Sequence, residues 1–207
     1  MDEARKIRDF WFGKLPLAPE DLEKRMRLWF GYEITPEQRQ RWDDLIRTQF
    51  EPLVKRALGG ELAAWADGPR RRMSLILLLD QFPRNLYRGS ARAFAGDAEA
   101  LALALSGMNS GADAALDPVE RMFFYMPLQH SETLDVQDES VAAYRRLHME
   151  APDALKQTFA SALDYAKRHR AVIAQFGRFP HRNRILGRAS TPDEIAYLKA
   201  GGEDFGR

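Results

Sequence analysis

Three times along this chain an oxygen-bearing side chain is followed at once by proline, and three residues on by glutamine or glutamate. The strings are Thr35-Pro36-Glu37-Gln38, Asp117-Pro118-Val119-Glu120 and Thr191-Pro192-Asp193-Glu194. Each combines the parts of a helix start. The first side chain can accept from an orphan amide, proline is tolerated at the first helical position, and the third residue can reach back to the cap amide. No stretch alternates apolar and polar residues for long, and no Asn-Gly or Asp-Gly pair offers a hairpin turn. A chain so punctuated is expected to be all-α.

Apolar spacing fills in the elements. Ile7, Phe10 and Trp11 mark a first helix ending near Gly13, and a proline-bounded loop runs from Leu15 to Pro19. Leu22, Met26 and Trp29 form a second stripe, and a long helix runs from Thr35 to the Gly59-Gly60 stop. A short helix is expected over 61–66, another carrying Met73 to Gln81, and an alanine-rich one from about Asp97 to the glycines 107 and 111. After the start at Asp117 come helical stretches over 141–149 and 154–175, then a short one capped by Thr191. The tail, 201–207, is expected to fray. Nothing reads as an interdomain linker, so the expectation is a single domain over 1–207.

Composition narrows the class. A chain of 207 residues with 45% apolar and 29% charged residues can bury a sizeable core. No apolar run approaches the roughly 18 residues of a membrane span. The acidic opening Met1-Asp2-Glu3 is unlike a signal peptide. With no cysteine there are no disulfides, thiolate ligands or cysteine nucleophiles. A cytoplasmic location is the simplest expectation. A formal net charge of +1 gives bulk nucleic-acid binding little support.

That near-neutral total hides an asymmetry. No acid lies between Asp164 and Asp193, while Lys167, Arg168, Arg170, Arg178, Arg182, Arg184 and Arg188 all do, leaving −6 for the rest. The centre of this belt is Phe176-Gly177-Arg178-Phe179-Pro180-His181-Arg182-Asn183. Pro180 excludes Phe179 from the α region and suits the start of a new helix near His181. Arg182 and Arg184 would then sit where the helix dipole disfavours them, unless an anion lies there. That anion could be a ligand, or a protein carboxylate such as Asp80, Glu132 or Asp138.

Two further clusters share the aromatic-proline form. Asp80-Gln81-Phe82-Pro83-Arg84-Asn85 follows the apolar run 75–79, so a buried helix would end at Asp80 and Gln81, with the proline turning the chain. Tyr125-Met126-Pro127-Leu128-Gln129-His130-Ser131-Glu132 supplies a histidine and a carboxylate that could exchange a proton. Ser131 reads better as the N-cap of the next helix than as a catalytic group. His130, His169 and His181 lack metal-ligand spacing and lie in a basic belt, so no metal and no cofactor is expected. Phe176, Arg178, Phe179 and Arg182 hold the ingredients of single-strand nucleic-acid binding, but in one belt only.

The strings at 78–85, 125–132 and 176–183, with Phe10-Trp11-Phe12-Gly13 and Leu186-Gly187-Arg188-Ala189-Ser190-Thr191, resemble a bacterial family called domain of unknown function 924. The resemblance covers nearly the whole chain and implies a compact, tetratricopeptide-like fold of irregular helical hairpins. It implies no reaction and no catalytic residues.

Two functions fit these residues. In the first, the three motifs converge on a pocket for a small anion, phosphate- or carboxylate-bearing. Asp80, Gln81, Arg84, Asn85, His169, Arg178, Arg182 and Asn183 would bind it, and His130, Glu132 and His181 would carry any acid–base chemistry. In the second, a tetratricopeptide-like groove takes a peptide, or its terminal carboxylate, through the same residues. A third possibility is that these groups form only a structural polar core. Oligomeric state is not legible.

Overall fold

The computed structural model describes residues 2–205, and helices are the only regular elements among them. Eleven are α-helical: α1 (Glu3–Phe12), α2 (Pro19–Phe30), α3 (Pro36–Leu58), α4 (Pro69–Ile76), α5 (Phe82–Leu86), α6 (Asp97–Asn109), α7 (Pro118–Phe124), α8 (Met126–His130), α9 (Leu134–Met149), α10 (Lys156–Phe176) and α11 (Pro192–Lys199). The three proline-led strings open α3, α7 and α11, each with both halves of the capping box closed. The stretch expected as a helix over 61–66 is a 3₁₀ turn, Ala63–Asp67. None of the helices is long and apolar enough to cross a membrane.

Contacts divide the chain into two compact units. One runs up to Arg88 and resumes over Arg92–Pro127; the other holds Gly89–Ala91 and the residues from Leu128 onward. In the first unit α1 packs on α4, α3 on α5, and α4 on α6 and α7. Its centre is aromatic. Phe10 stacks on Trp42 with ring centroids 4.8 Å apart, and Phe123 meets Trp29 edge-on at 4.7 Å. Trp11 lies within 5.3–6.2 Å of Phe82, Phe123, Trp42 and Trp29. Each such pair contributes about 0.5–1.5 kcal/mol beyond the area it buries.

Pro83 does not turn the chain. The backbone continues from α4 through one widened π-helical turn, Leu77–Gln81, directly into α5. The reason is local. Proline lacks the N–H that an α-helix would aim at the Leu79 carbonyl, and its ring would strike that carbonyl. Inserting one residue into the turn relieves both, and the Phe82 amide bonds five residues back to Leu77. Asp80 and Gln81 therefore lie inside a continuous helical run, buried, rather than at its end.

The second unit is built on α9 packed along α10, with α11 beside a short 3₁₀ turn, Pro180–Arg182. Val172, Ile173 and Phe179 form its core cluster, against which Phe176, Tyr197 and Phe205 pack. The tail contributes here: the Glu203 amide donates to the Tyr197 hydroxyl at 2.7 Å, and Phe205 stacks on His169. Of the tail expected to fray, residues 206 and 207 lie outside the described residues.

Candidate functional site

In the first unit the Phe-Pro-Arg-Asn string is held by its neighbours. Arg84 lies 2.8 and 3.0 Å from the two oxygens of Asp97, and also donates to the Asp80 carbonyl at 2.7 Å. The Asp80 carboxylate, fully buried, accepts from Gln81 at 2.6 Å and stands 3.3 Å from Arg84. Asn85 donates to Asp43, whose oxygens are also gripped by Arg88 at 3.0 and 3.1 Å. Asp97 and Asp43 complete this motif, and neither stands in the string itself.

In the second unit α10 ends at Phe176, where Gly177 takes the left-handed conformation (φ +67°). Phe179 is extended, as the following proline demands, and Pro180–Arg182 is a single 3₁₀ turn rather than a new α-helix. No helix dipole therefore opposes the arginines. Two other arginines of the belt are met by carboxylates: Arg178 forks onto Glu194 at 2.5 and 2.8 Å, and Arg188 onto Glu132 at 2.6 and 3.0 Å. Asn183, buried, donates to Glu194 and accepts from Arg188, joining the two pairs. Of the acids proposed as partners, Glu132 takes this role; Asp138 pairs with Arg170, and Asp80 lies in the first unit.

Ser131 is not the cap of α9, which begins three residues later behind Thr133. The Ser131 hydroxyl accepts from the Thr133 amide instead, and Gln137 fastens the turn by donating to the carbonyls of Gln129 and Ser131, both at 2.7 Å. That turn frees Glu132 from helix capping. Its second contact is the Phe179 amide, at 2.8 Å.

What this scaffold surrounds is a cluster of imidazoles, one guanidinium and aromatic rings. His169, buried, lies with its ring 6.4 Å from His130, 5.7 Å from Phe179 and 3.6 Å from Phe205, the last stacked. Phe179 in turn lies 5.6 Å from His181, and Arg182 spreads over its face at 4.4 Å. Arg182 also donates to the His130 carbonyl at 3.0 Å. The motif's His130, His169, His181 and Arg182 thus meet in one place, with Glu132, Arg178 and Asn183 beside them as their frame.

The electrostatics match. Burial pushes the His169 imidazole down to about 3; a bond to the Tyr165 carbonyl opposes this, while the charges of His130, Arg182 and His181 add to it. His169 is therefore neutral near pH 7, with Nδ1–H donating to Tyr165 at 2.8 Å. Burial alone would raise the Glu132 carboxyl. Hydrogen bonds from Arg188 and the Phe179 amide, with the charges of Arg188 and Arg182, outweigh it and hold the group below the usual range. Bonds from Arg178 and Asn183, and from the Thr191 amide, bring Glu194 to about 2. Among the described residues no three His, Asp or Glu side chains are arranged to hold a metal ion.

Sequence reasoning passed over Glu194 and Arg188 as site members. Glu194 stands in the capping box of α11, where its oxygen does accept from the Thr191 amide at 2.7 Å. The same carboxylate also binds Arg178 and Asn183, and only its burial reveals that second task.

Comparison with known proteins adds the family context. The model of a family described as bacterial protein of unknown function (DUF924) matches residues 7–202, which contain all three motifs. A solved structure of a protein of unknown function from Agrobacterium tumefaciens is 33% identical, with a TM-score of 0.74, over 96% of this chain and 97% of that one. No curated protein matches the chain.

Proposed function

The chain belongs to the bacterial DUF924 family, and we propose that it binds a small anion, phosphate- or carboxylate-bearing, at the cluster of His130, His169, His181 and Arg182. The observation that carries this reading is the meeting of three imidazoles and a buried guanidinium on one aromatic floor. An anion would add charge-assisted contacts to a guanidinium and imidazoles already gathered beside the ionised Glu132. Arg182, fixed flat on Phe179, presents a planar fork to an oxyanion. His130 and His181, half-buried, are the groups able to give or take a proton from a bound ligand.

The other motif residues act in this reading as scaffold. Glu132 is ionised and clamped on Arg188, so it orients the Phe179 turn and is a poor proton donor. Arg178 and Asn183 tie that turn to α11 through Glu194, and Asp80, Gln81, Arg84 and Asn85 brace the first unit.

A titration with inorganic phosphate, followed through the imidazole proton resonances, tests the proposal. His130 and His181 signals should move with a saturable dependence, and Arg182→Gln should weaken binding about tenfold, the loss of one charge-assisted contact. Shifts that leave the imidazoles untouched, or equal affinity in Arg182→Gln, would sink it. One feature favours a second reading, a peptide-binding role. An open groove of about 800 Å³ lies beside the cluster's frame, lined by Phe176, Arg178 and Tyr197 among others. Capture of a peptide carboxylate there would depend on Arg178 and be indifferent to Arg182.

A further inference from the structure

The first unit holds a separate basic cavity of about 410 Å³, lined by Arg39, Asp43, Arg47, Asn85, Leu86 and Arg88 among others. Arg39, Asp43 and Arg47 are spaced four residues apart on α3, so they share one face along about 12 Å of helix. Such spacing ordinarily lets the central aspartate pair with either arginine. Here it does not: Asp43 is buried, and its oxygens are taken by Arg88 from across the cavity and by Asn85.

The two helix arginines are left with backbone carbonyls as their hydrogen-bond partners. Arg39 donates to Gly31 at 3.2 Å, and Arg47 to Leu86 at 2.9 Å. The nearest carboxylate to Arg47 is Glu51 at 3.9 Å, outside hydrogen-bond reach, and Glu51 itself lies 3.1 Å from Lys55. Three guanidiniums thus line the cavity against one carboxylate.

Arg39 is also held in place. It lies across Gly31, where a Cβ would come within 2.0 Å of its Nη2, and Gly31 stands at φ +72°. A side chain at 31 would evict the guanidinium. Fixing a charge in this way lowers the ordering cost when an anion arrives.

We infer that this cavity is a second site, independent of the imidazole cluster, for a small phosphate monoester. Its volume suits a ligand of that size, two guanidinium forks match the tetrahedral dianion, and Leu86 with Ile34 and Pro36 offers apolar wall to the organic part.

The test is calorimetric titration with inorganic phosphate, glycerol phosphate and succinate, in the wild-type chain and in Arg182→Gln, where the other cluster is weakened. Glycerol phosphate should bind at least as well as inorganic phosphate, and succinate more weakly. Arg39→Gln and Arg47→Gln should each lose about tenfold in affinity with the helical circular-dichroism signal intact. Gly31→Ala, which keeps every charge but displaces Arg39, should fall between. Succinate binding as tightly as the phosphates overturns the ligand class. Affinities in Arg182→Gln that Arg39→Gln and Arg47→Gln leave unchanged, or no heat from any probe there, overturn the site while leaving the imidazole cluster to stand or fall on its own resonances.

Discussion

His169 is one residue whose chemistry is set by its surroundings. Its ordinary value of 6.5 is pushed down to about 3 by burial. Below pH 6.5 the unfolded chain takes up a proton that the folded chain refuses, so this contribution to stability is complete above 6.5 and is lost as pH falls toward 3. The expected slope approaches 1.4 kcal/mol per pH unit. Glu194 is depressed in the same sense, from 4.5 to about 2, so its contribution is lost only below 4.5. Urea unfolding between pH 6.5 and 5 tests the histidine: the wild-type chain should lose stability across that range, and His169→Gln should lose distinctly less. Equal slopes would show that His169 is not the group responsible. Glu194→Gln removes the charge from a buried acceptor of Arg178, Asn183 and the Thr191 amide, and should cost about 2 kcal/mol or more at pH 7. At this scale the sequence was informative about residue type alone. It named His130, His169, His181 and Arg182 only within a larger list of candidates, and it could not tell that Arg178 and Asn183 of the same list belong to a bracing network. Exposure and partner are properties of the folded chain.

At the scale of elements, helix starts were legible because capping is local chemistry within four residues. All three capping boxes formed where the strings stand. Helix continuations were less so. Pro83 reads as a turn, but the apolar run before it is buried, and a single π-helical turn accommodates the proline inside the helix. The displaced geometry has a partner elsewhere: Gly96, ahead of α6, lies so near the Leu79 carbonyl that a Cβ would fall within 2.4 Å of its oxygen. Gly96→Ala must therefore push backbone against backbone and should cost about 2–3 kcal/mol. Gly68→Ala, at a position where a Cβ meets nothing within 4 Å, should stay below about 1 kcal/mol. Thermal or urea unfolding of the two variants compares them directly, and equal losses would contradict the packing argument.

For the molecule as a whole, two anion sites make a thermodynamic claim. A ligand that binds only the folded chain stabilises it by about 1.4 kcal/mol per site at ten times its Kd. Phosphate should raise the midpoint of unfolding more in the wild-type chain than in Arg47→Gln or Arg182→Gln. The double variant should retain only the general salting effect of phosphate. A double variant that responds like the wild type would remove both proposals at once. What the sequence determined by itself is the all-helical class, the helix starts and the residue types gathered in the motifs, because caps, prolines and helical periodicity act over a few neighbouring residues. What only the tertiary structure decided is which charge meets which. With 31 basic and 30 acidic residues in the chain, nearly every arginine has many possible partners in sequence. Arg178 found Glu194 sixteen positions away and Arg188 found Glu132 fifty-six away, while Arg39 and Arg47 donate to backbone carbonyls instead. Coulomb energy depends on distance through space and on burial, and neither is written in the order of residues.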